Sequence, residues 1–363
     1  MAESDLTKHG PGFDLPDHPL VDAARRVADE VLEPAASAVD EQGVPPSHLR
    51  ALAAAGLFGL EAPEEGGPLP RPVVRGVVEV LAGADATTWL VWAQHHGPVR
   101  ALAQSSSSLR EELLPELTSG SQIAGIAFSH LRRFPARPVT AEQVEGGWRF
   151  DGDTPWYTGW GLNQWLMLAG ATAGGEVVFV LTEALEREGM SASPLRLAAM
   201  QGSHTVRLSF RGLEVPEDRV LIRRSFDGWA AQDRVGTANV NPACFGLTRT
   251  AIRLLAGRAR EAGDAVDRCA HRLAERFVAV REEAYRLIDE VPAEEAIERR
   301  LAVRAEALEA MVDATTALVT ASAGAGMASS SPAQRLARDA LFLVVQAQTP
   351  AVRNATLDRI TRR

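Results

Sequence analysis

Residues Ile123 to Ala171 constrain this chain more than any other stretch. They read IAGIAFSHLRR, then a loop, then GGWRFDGDTPWYTGWGLNQWLMLAGA. Short apolar runs rich in β-branched and aromatic residues, separated by Gly and Pro, are the pattern of strands and hairpins. Long segments of helical periodicity flank them. A chain built in this order segregates its helices from its sheet. Turns are expected at Gly146-Gly147 and at Gly152-Asp153. Beyond them, Trp156-Tyr157-Thr158-Gly159 puts an aromatic and a hydroxyl on a strand that ends in glycine. Such a strand can lie along a flat ring and offer it hydrogen bonds, so Trp156, Tyr157 and Thr158 are expected to line a flat cleft facing Ser129.

The flanks read as follows. Leu20, Val21, Ala24, Val27, Val31 and Leu32 recur at helical spacing from Pro19 to Gln42, with Asp17 as the expected cap and Gly43 as the stop. A second helix starts at Pro45-Pro46-Ser47 and ends at Gly56, and Glu61 to Gly67 is turn-rich. Val73 to Leu102 is helical with a break near Ala82-Gly83-Ala84-Asp85, and Leu109 to Leu117 is a further helix. Strands continue through Val177–Leu181 and His204–Phe210, closing at Val215-Pro216 and Val220. Helices then run over Gly246–Ala262, Val266–Leu287, Ala293–Ala325 and Pro332–Val345. The expected fold class is α+β: an N-terminal helical domain (1–121), a central β-domain (122–225) and a C-terminal helical bundle (226–363). The helix from Ala293 is apolar on more than one side, which requires burial on more than one side.

A net charge of −9 argues against nucleic acid or an anionic membrane as partner. No apolar run reaches the roughly 18 residues that span a bilayer, and the polar first residues resemble neither a signal peptide nor an anchor. Two cysteines, Cys244 and Cys269, without metal-ligand spacing, suit a reducing cytoplasm. No metal site is expected.

Several of these segments resemble the acyl-CoA dehydrogenase family. Ala127-Phe128-Ser129-His130 is similar to the family's Ala-Leu-Thr-Glu, and Trp156-Tyr157-Thr158 to its Trp-Ile-Thr. The order of helix, Gly43-containing turn, helix, Ala55-Gly56-Leu57 and Pro63-Glu64-Glu65-Gly66-Gly67 is similar too. The resemblance extends over nearly the whole chain. It implies FAD, with FMN or a reduced flavin as variants, held by Phe128, Ser129, Trp156, Tyr157, Thr158, Gly326 and Thr349. It also implies an acyl-thioester substrate and a homodimer or homotetramer.

The family's chemistry is only partly present. Its usual base is a Glu in a Tyr-Glu-Gly-Thr stretch that follows Arg-Asp-Ala. Here Arg338-Asp339-Ala340 leads to Gln346-Ala347-Gln348-Thr349, so Ala347 holds the base position. A methyl group cannot accept a proton. Some members carry the base on the helix that opens the C-terminal domain, where Asp233 stands here; a carboxylate at a helix start also has a purely structural reading. The family's Gly-Gly-x-Gly becomes Ala323-Gly324-Ala325-Gly326, and its Arg-x-x-Phe-Gly has no counterpart. Arg132 and Arg133 can be read as a phosphate grip or as solvated loop charges. His95 and His96 fall where flavin hydroxylases of the superfamily carry a His, and a His titrating near 6.5 suits acid–base work. A structural role for either is the alternative.

Three functions follow from the resemblance. One is a flavin-dependent oxidoreductase on an acyl thioester, with its base relocated or absent. Another is a monooxygenase taking reduced flavin from a partner reductase, with His95 or His96 assisting. The third is a non-catalytic or half-active subunit in an assembly with a different chain.

Overall fold

The computed structural model describes residues 14–62 and 68–362. The Pro63–Gly67 turn and the extreme N-terminus lie outside the described residues. Helix α1 (Pro19–Val27) passes through a π turn (Ala28–Leu32) into α2 (Glu33–Gln42), and Gly43 ends it with φ +95°. The cap is His18, not Asp17: the Leu20 N–H donates to His18 Nδ1 at 3.2 Å. Pro19 occupies the first helical position with its φ already set, which makes the residue before it the cap.

Helices α3 (Pro46–Ala54), α4 (Arg71–Ala84), α5 (Ala86–Ala93), α6 (His96–Gln104) and α7 (Leu109–Ser119) complete the N-terminal layer. The expected break falls at Asp85, whose carboxylate accepts from the Thr87 and Thr88 N–H groups, both at 3.2 Å. A further break at Gln94-His95 separates α5 from α6.

The sheet has eight strands: β1 (Ala124–Ala127), β2 (Val139–Val144), β3 (Gly147–Tyr157), β4 (Trp165–Ala171), β5 (Glu176–Glu183), β6 (Met190–Pro194), β7 (Val206–Pro216) and β8 (Val220–Ser225). Their order is β6-β7-β3-β2-β4-β5-β8, with β1 parallel to β4. Gly146 makes the expected turn between β2 and β3. Gly152-Asp153 does not turn the chain. It lies inside β3, where the pairing with β7 shifts register. Gly152 has φ +128° and passes so near Pro138 that a Cβ would stand 1.8 Å from the Pro138 carbonyl oxygen. The glycine there serves a bulge and a close backbone approach.

The C-terminal layer is α8 (Phe226–Ala238), α9 (Pro242–Ala262), α10 (Asp264–Glu290), α11 (Ile297–Ser322), α12 (Pro332–Val345) and α13 (Pro350–Ile360). Helices α4 and α9 cross at backbone contact: a Cβ on Gly246 would stand 2.3 Å from the Glu79 carbonyl. Next to this crossing the buried Glu79 carboxylate accepts from Arg249 (2.6 Å), Arg281 (2.8 Å) and the Tyr285 hydroxyl (2.6 Å). One fully buried carboxylate thereby holds α4, α9 and α10 together. Helix α11 packs against α9, α10, α12 and α13, so its many-sided apolarity is used within the chain. Among the described residues no helix is long and apolar enough to cross a membrane.

Candidate functional site

A cavity of about 980 Å³ opens where the three layers meet. One wall comes from α4 and α5, with Val74, Val78, Trp89 and Trp92, and His96 follows at the start of α6. The sheet supplies Phe128, Ser129, Trp156 and Thr158, and the loop from α12 to α13 supplies Gln346 to Thr349.

Of the expected strand triplet, two residues face this cavity. Trp156 is 49% exposed at its edge and Thr158 is buried in its wall. The Thr158 hydroxyl hydrogen-bonds to the Thr205 hydroxyl at 2.9 Å, which is 2.7 Å from that of Ser203. Tyr157 is a correction: it is fully buried in the sheet core, away from the cavity. Successive side chains on a strand alternate faces, so a residue between two cleft residues points the other way. Its hydroxyl donates to the Trp165 carbonyl and accepts from Asn163, each at 3.2 Å. Burial raises its pKa and keeps it neutral.

Phe128 and Ser129 line the cavity where β1 gives way to a tight turn (Ser129–Arg133). His130 fixes that turn. Burial lowers it to about 4, so its ring is neutral. Nε2 then donates to the Ala169 carbonyl at 3.0 Å, and Nδ1 accepts from the Thr154 hydroxyl at 3.1 Å.

The two adjacent histidines have separate fates. His95 is completely buried, outside the cavity wall, and burial lowers it to about 4. Its Nε2 donates to the Leu117 carbonyl at 3.0 Å while Nδ1 accepts the Ala124 N–H at 3.1 Å. It joins the end of α7 to β1, and both its nitrogens are used, so it is structural and not catalytic in this arrangement. His96 lines the cavity. It packs edge-on against Trp92, with ring centroids 4.3 Å apart, and neither ring nitrogen has a hydrogen-bond partner.

Asp233 is a second correction. It does not line the cavity; its two oxygens accept a bidentate pair from Arg132 at 2.8 and 2.7 Å. Both oxygens are thus already engaged by a guanidinium fork. The same pair removes Arg132 as a free phosphate grip, whereas Arg133 and Arg353 stand exposed at the cavity wall. Gly326 does not line the cavity. It lies in the turn after α11, where a Cβ would meet Ser322 Cβ and the Val319 carbonyl, each at 2.9 Å. Its smallness serves that turn.

Thr349 lines the cavity and caps α13, its hydroxyl accepting the Val352 N–H at 3.3 Å. Ala347 lines the cavity in the left-handed region, at φ +50°. The loop that holds it is fixed from behind. Arg304 donates to the Gln346 carbonyl at 2.8 Å and also to the Thr237 carbonyl, and Asn241 donates to the Gln346 side chain at 2.8 Å. Among the described residues, Glu61 is the carboxylate that lines the cavity; it pairs with Arg100 at 3.3 Å. The sequence offered no sign of Glu61 or Asn241 as site residues, because neither belongs to a spacing pattern. Trp89 and Trp92, one turn apart on α5, were a readable signal.

A flavin ring fits this lining. The wall has a half-exposed indole, hydroxyls from Ser129 and Thr158, and neutral amides from Asn241 and Gln348, at a junction of layers where such ligands bind. The glycines around Gly326 do not reach the cavity within one chain. Cys244 is buried and its thiol is pushed up to about 12, which leaves it unreactive; Cys269 is half-buried.

Comparison with known proteins agrees with this architecture. The profile of the acyl-CoA dehydrogenase N-terminal domain matches residues 17–121. A Mycobacterium tuberculosis protein described as a probable acyl-CoA dehydrogenase is 28% identical over 229 residues, 58% of each chain. The chain therefore matches a little over half the length of such curated relatives. Butyryl-CoA dehydrogenase of Megasphaera elsdenii shares the fold with a TM-score of 0.80, at 17% identity, over 96% of this chain and 100% of that one. A nitrososynthase of Micromonospora carbonacea does so with a TM-score of 0.77, at 18% identity, over 96% and 97%. The chain thus carries an N-terminal segment similar to that of the acyl-CoA dehydrogenases, and it has their fold.

Proposed function

We propose that the chain is a flavin-dependent oxidoreductase acting on an acyl thioester, without a carboxylate at the family's usual base position. The observation that carries this reading is the cavity. Ser129, Trp156 and Thr158 face it from the sheet, and Ala347 and Thr349 face it from the C-terminal layer. Trp156 and Thr158 would hold the flavin ring on one side, with Ser129 offering a hydroxyl at its edge. The flavin, when bound, supplies hydride acceptance. Ala347 cannot take the α proton, and Asp233 is occupied by Arg132. The N-terminal similarity and the butyryl-CoA dehydrogenase fold support the thioester. Pairing through the C-terminal helices into a homodimer is part of the same reading.

A second reading, a monooxygenase supplied with reduced flavin, is favoured by His96. This unbonded imidazole lines a cavity that has no carboxylate at Ala347. Spectroscopy separates the two. A yellow protein with flavin near one per chain, bleached anaerobically by an acyl-CoA, supports the first. A colourless protein that binds reduced but not oxidised flavin supports the second. Binding of neither redox form refutes both and leaves a subunit that completes another chain.

A further inference from the structure

Polar groups in a packed wall are ordinarily bonded, and exceptions call for an explanation. Among the exceptions in this protein, three atoms belong to two side chains on one side of the cavity. Trp89 is 2% exposed and lines the cavity, yet its indole Nε1–H has no acceptor. Trp92, one turn further along α5, is satisfied by the Leu57 carbonyl at 2.9 Å. His96 has no partner at either ring nitrogen, whereas the buried His95 and His130 have both of theirs engaged. Trp89 and His96 thus differ from their neighbours in lacking partners, and both line the same cavity.

We infer that the α5 wall, through Trp89 and His96, binds a neutral oxygen function, a hydroxyl or a carbonyl, on the substrate. The inference rests on the proposed thioester reading for the rest of that substrate. Burial holds His96 well below its ordinary value, with Arg100 and His95 acting in the same direction, so the ring is neutral. It offers one donor and one acceptor, and Trp89 adds a second donor. A hydroxyl uses a donor and the acceptor; a carbonyl uses both donors. Neither donor is charged, and the nearby Arg100 is engaged by Glu61, so a carboxylate gains no ionic partner here. In this structure the three nitrogens are covered, so binding requires the rings to turn toward the cavity that both line. A purely aliphatic substrate would leave all three unmatched, and unmatched buried groups are what a polar subsite discriminates with.

The test compares ligands that differ by one oxygen. Hexanoyl-CoA and ω-hydroxyhexanoyl-CoA are titrated into the purified protein by tryptophan fluorescence, beside toluene and p-cresol, a pair without a thioester. The oxygen-bearing member is expected to bind about tenfold more tightly in wild type, and the preference to fall within about twofold in Trp89→Phe and in His96→Leu. Trp89→Phe removes the N–H while keeping an aromatic ring, and a circular dichroism melt checks folding. Equal or weaker binding of the oxygenated member in both pairs overturns the inference, as does a preference that survives both substitutions. If the cresol pair shows the preference and neither thioester binds, the subsite stands and the thioester reading fails.

Discussion

His95→Leu separates a structural histidine from a catalytic one by its dependence on pH. The folded protein holds this imidazole at about 4, against an ordinary value of 6.5, because burial penalises its charge. The unfolded chain accepts a proton that the folded chain refuses, so the stability tied to this group is complete above pH 6.5 and is lost as pH falls toward 4. Between pH 8 and 4.5 that loss amounts to about 2.5 kcal/mol. At pH 8 the leucine leaves the Ala124 N–H without a partner, while the Leu117 carbonyl keeps the Gly120 N–H at 3.1 Å. A buried orphan costs about 1–3 kcal/mol, so the variant is expected to be about 1–3 kcal/mol less stable there. The gap to wild type should then shift by about 2.5 kcal/mol in the variant's favour at pH 4.5, since leucine does not titrate. His130 and Asp339, with shifted groups of their own, are present in both proteins and cancel. Urea unfolding followed by tryptophan fluorescence and circular dichroism at the two pH values reads both quantities. A gap that is the same at both pH values would refute the buried neutral His95, and a variant as stable as wild type at pH 8 would refute its hydrogen bond with the Ala124 N–H.

Ala347→Glu restores a carboxylate to the family's base position, and a rise of about 10²–10⁴-fold in acyl-CoA dehydrogenation is expected with a dye acceptor. No rise, in protein that keeps its flavin, would mean that the cavity does not present the thioester to residue 347. Ala347→Gly should stabilise the fold by about 1 kcal/mol, because alanine at φ +50° carries a left-handed penalty that glycine lacks; an unchanged melting temperature would count against that strain. Asp233→Asn breaks the charge on the Arg132 fork, so it is expected to lower stability by about 1–3 kcal/mol while changing any native turnover by less than tenfold. A turnover loss of about 10²-fold or more would return Asp233 to the role of base.

The layers of this fold were legible because each long segment keeps one period. Where reading failed, the deciding fact was either local parity or a distant partner. Tyr157 shows the first: Trp156 and Thr158 share a face, so the residue between them could have been assigned inward from strand alternation alone. Gly152 resembles a turn residue in sequence, but only the carbonyl of Pro138 reveals that it relieves a collision. Asp233 shows the second, since the guanidinium that occupies it lies 101 residues away in the chain. The same holds for Glu79, whose partners come from two other helices and make a buried carboxylate tolerable. His95 and His96 are neighbours with identical chemistry, and no property of the sequence distinguishes the bonded ring from the unbonded one.

The bonds around Arg304 make a hoop. From Ser129 the turn leads to Arg132, which grips Asp233 on α8; α8 ends near Thr237, whose carbonyl Arg304 holds together with that of Gln346. Sheet wall and C-terminal wall are thus braced at a fixed span by charged side chains inside a single chain. The width of the cleft becomes a constant of the fold, set before any ligand arrives. Any widening of the cleft must first break one of these guanidinium contacts.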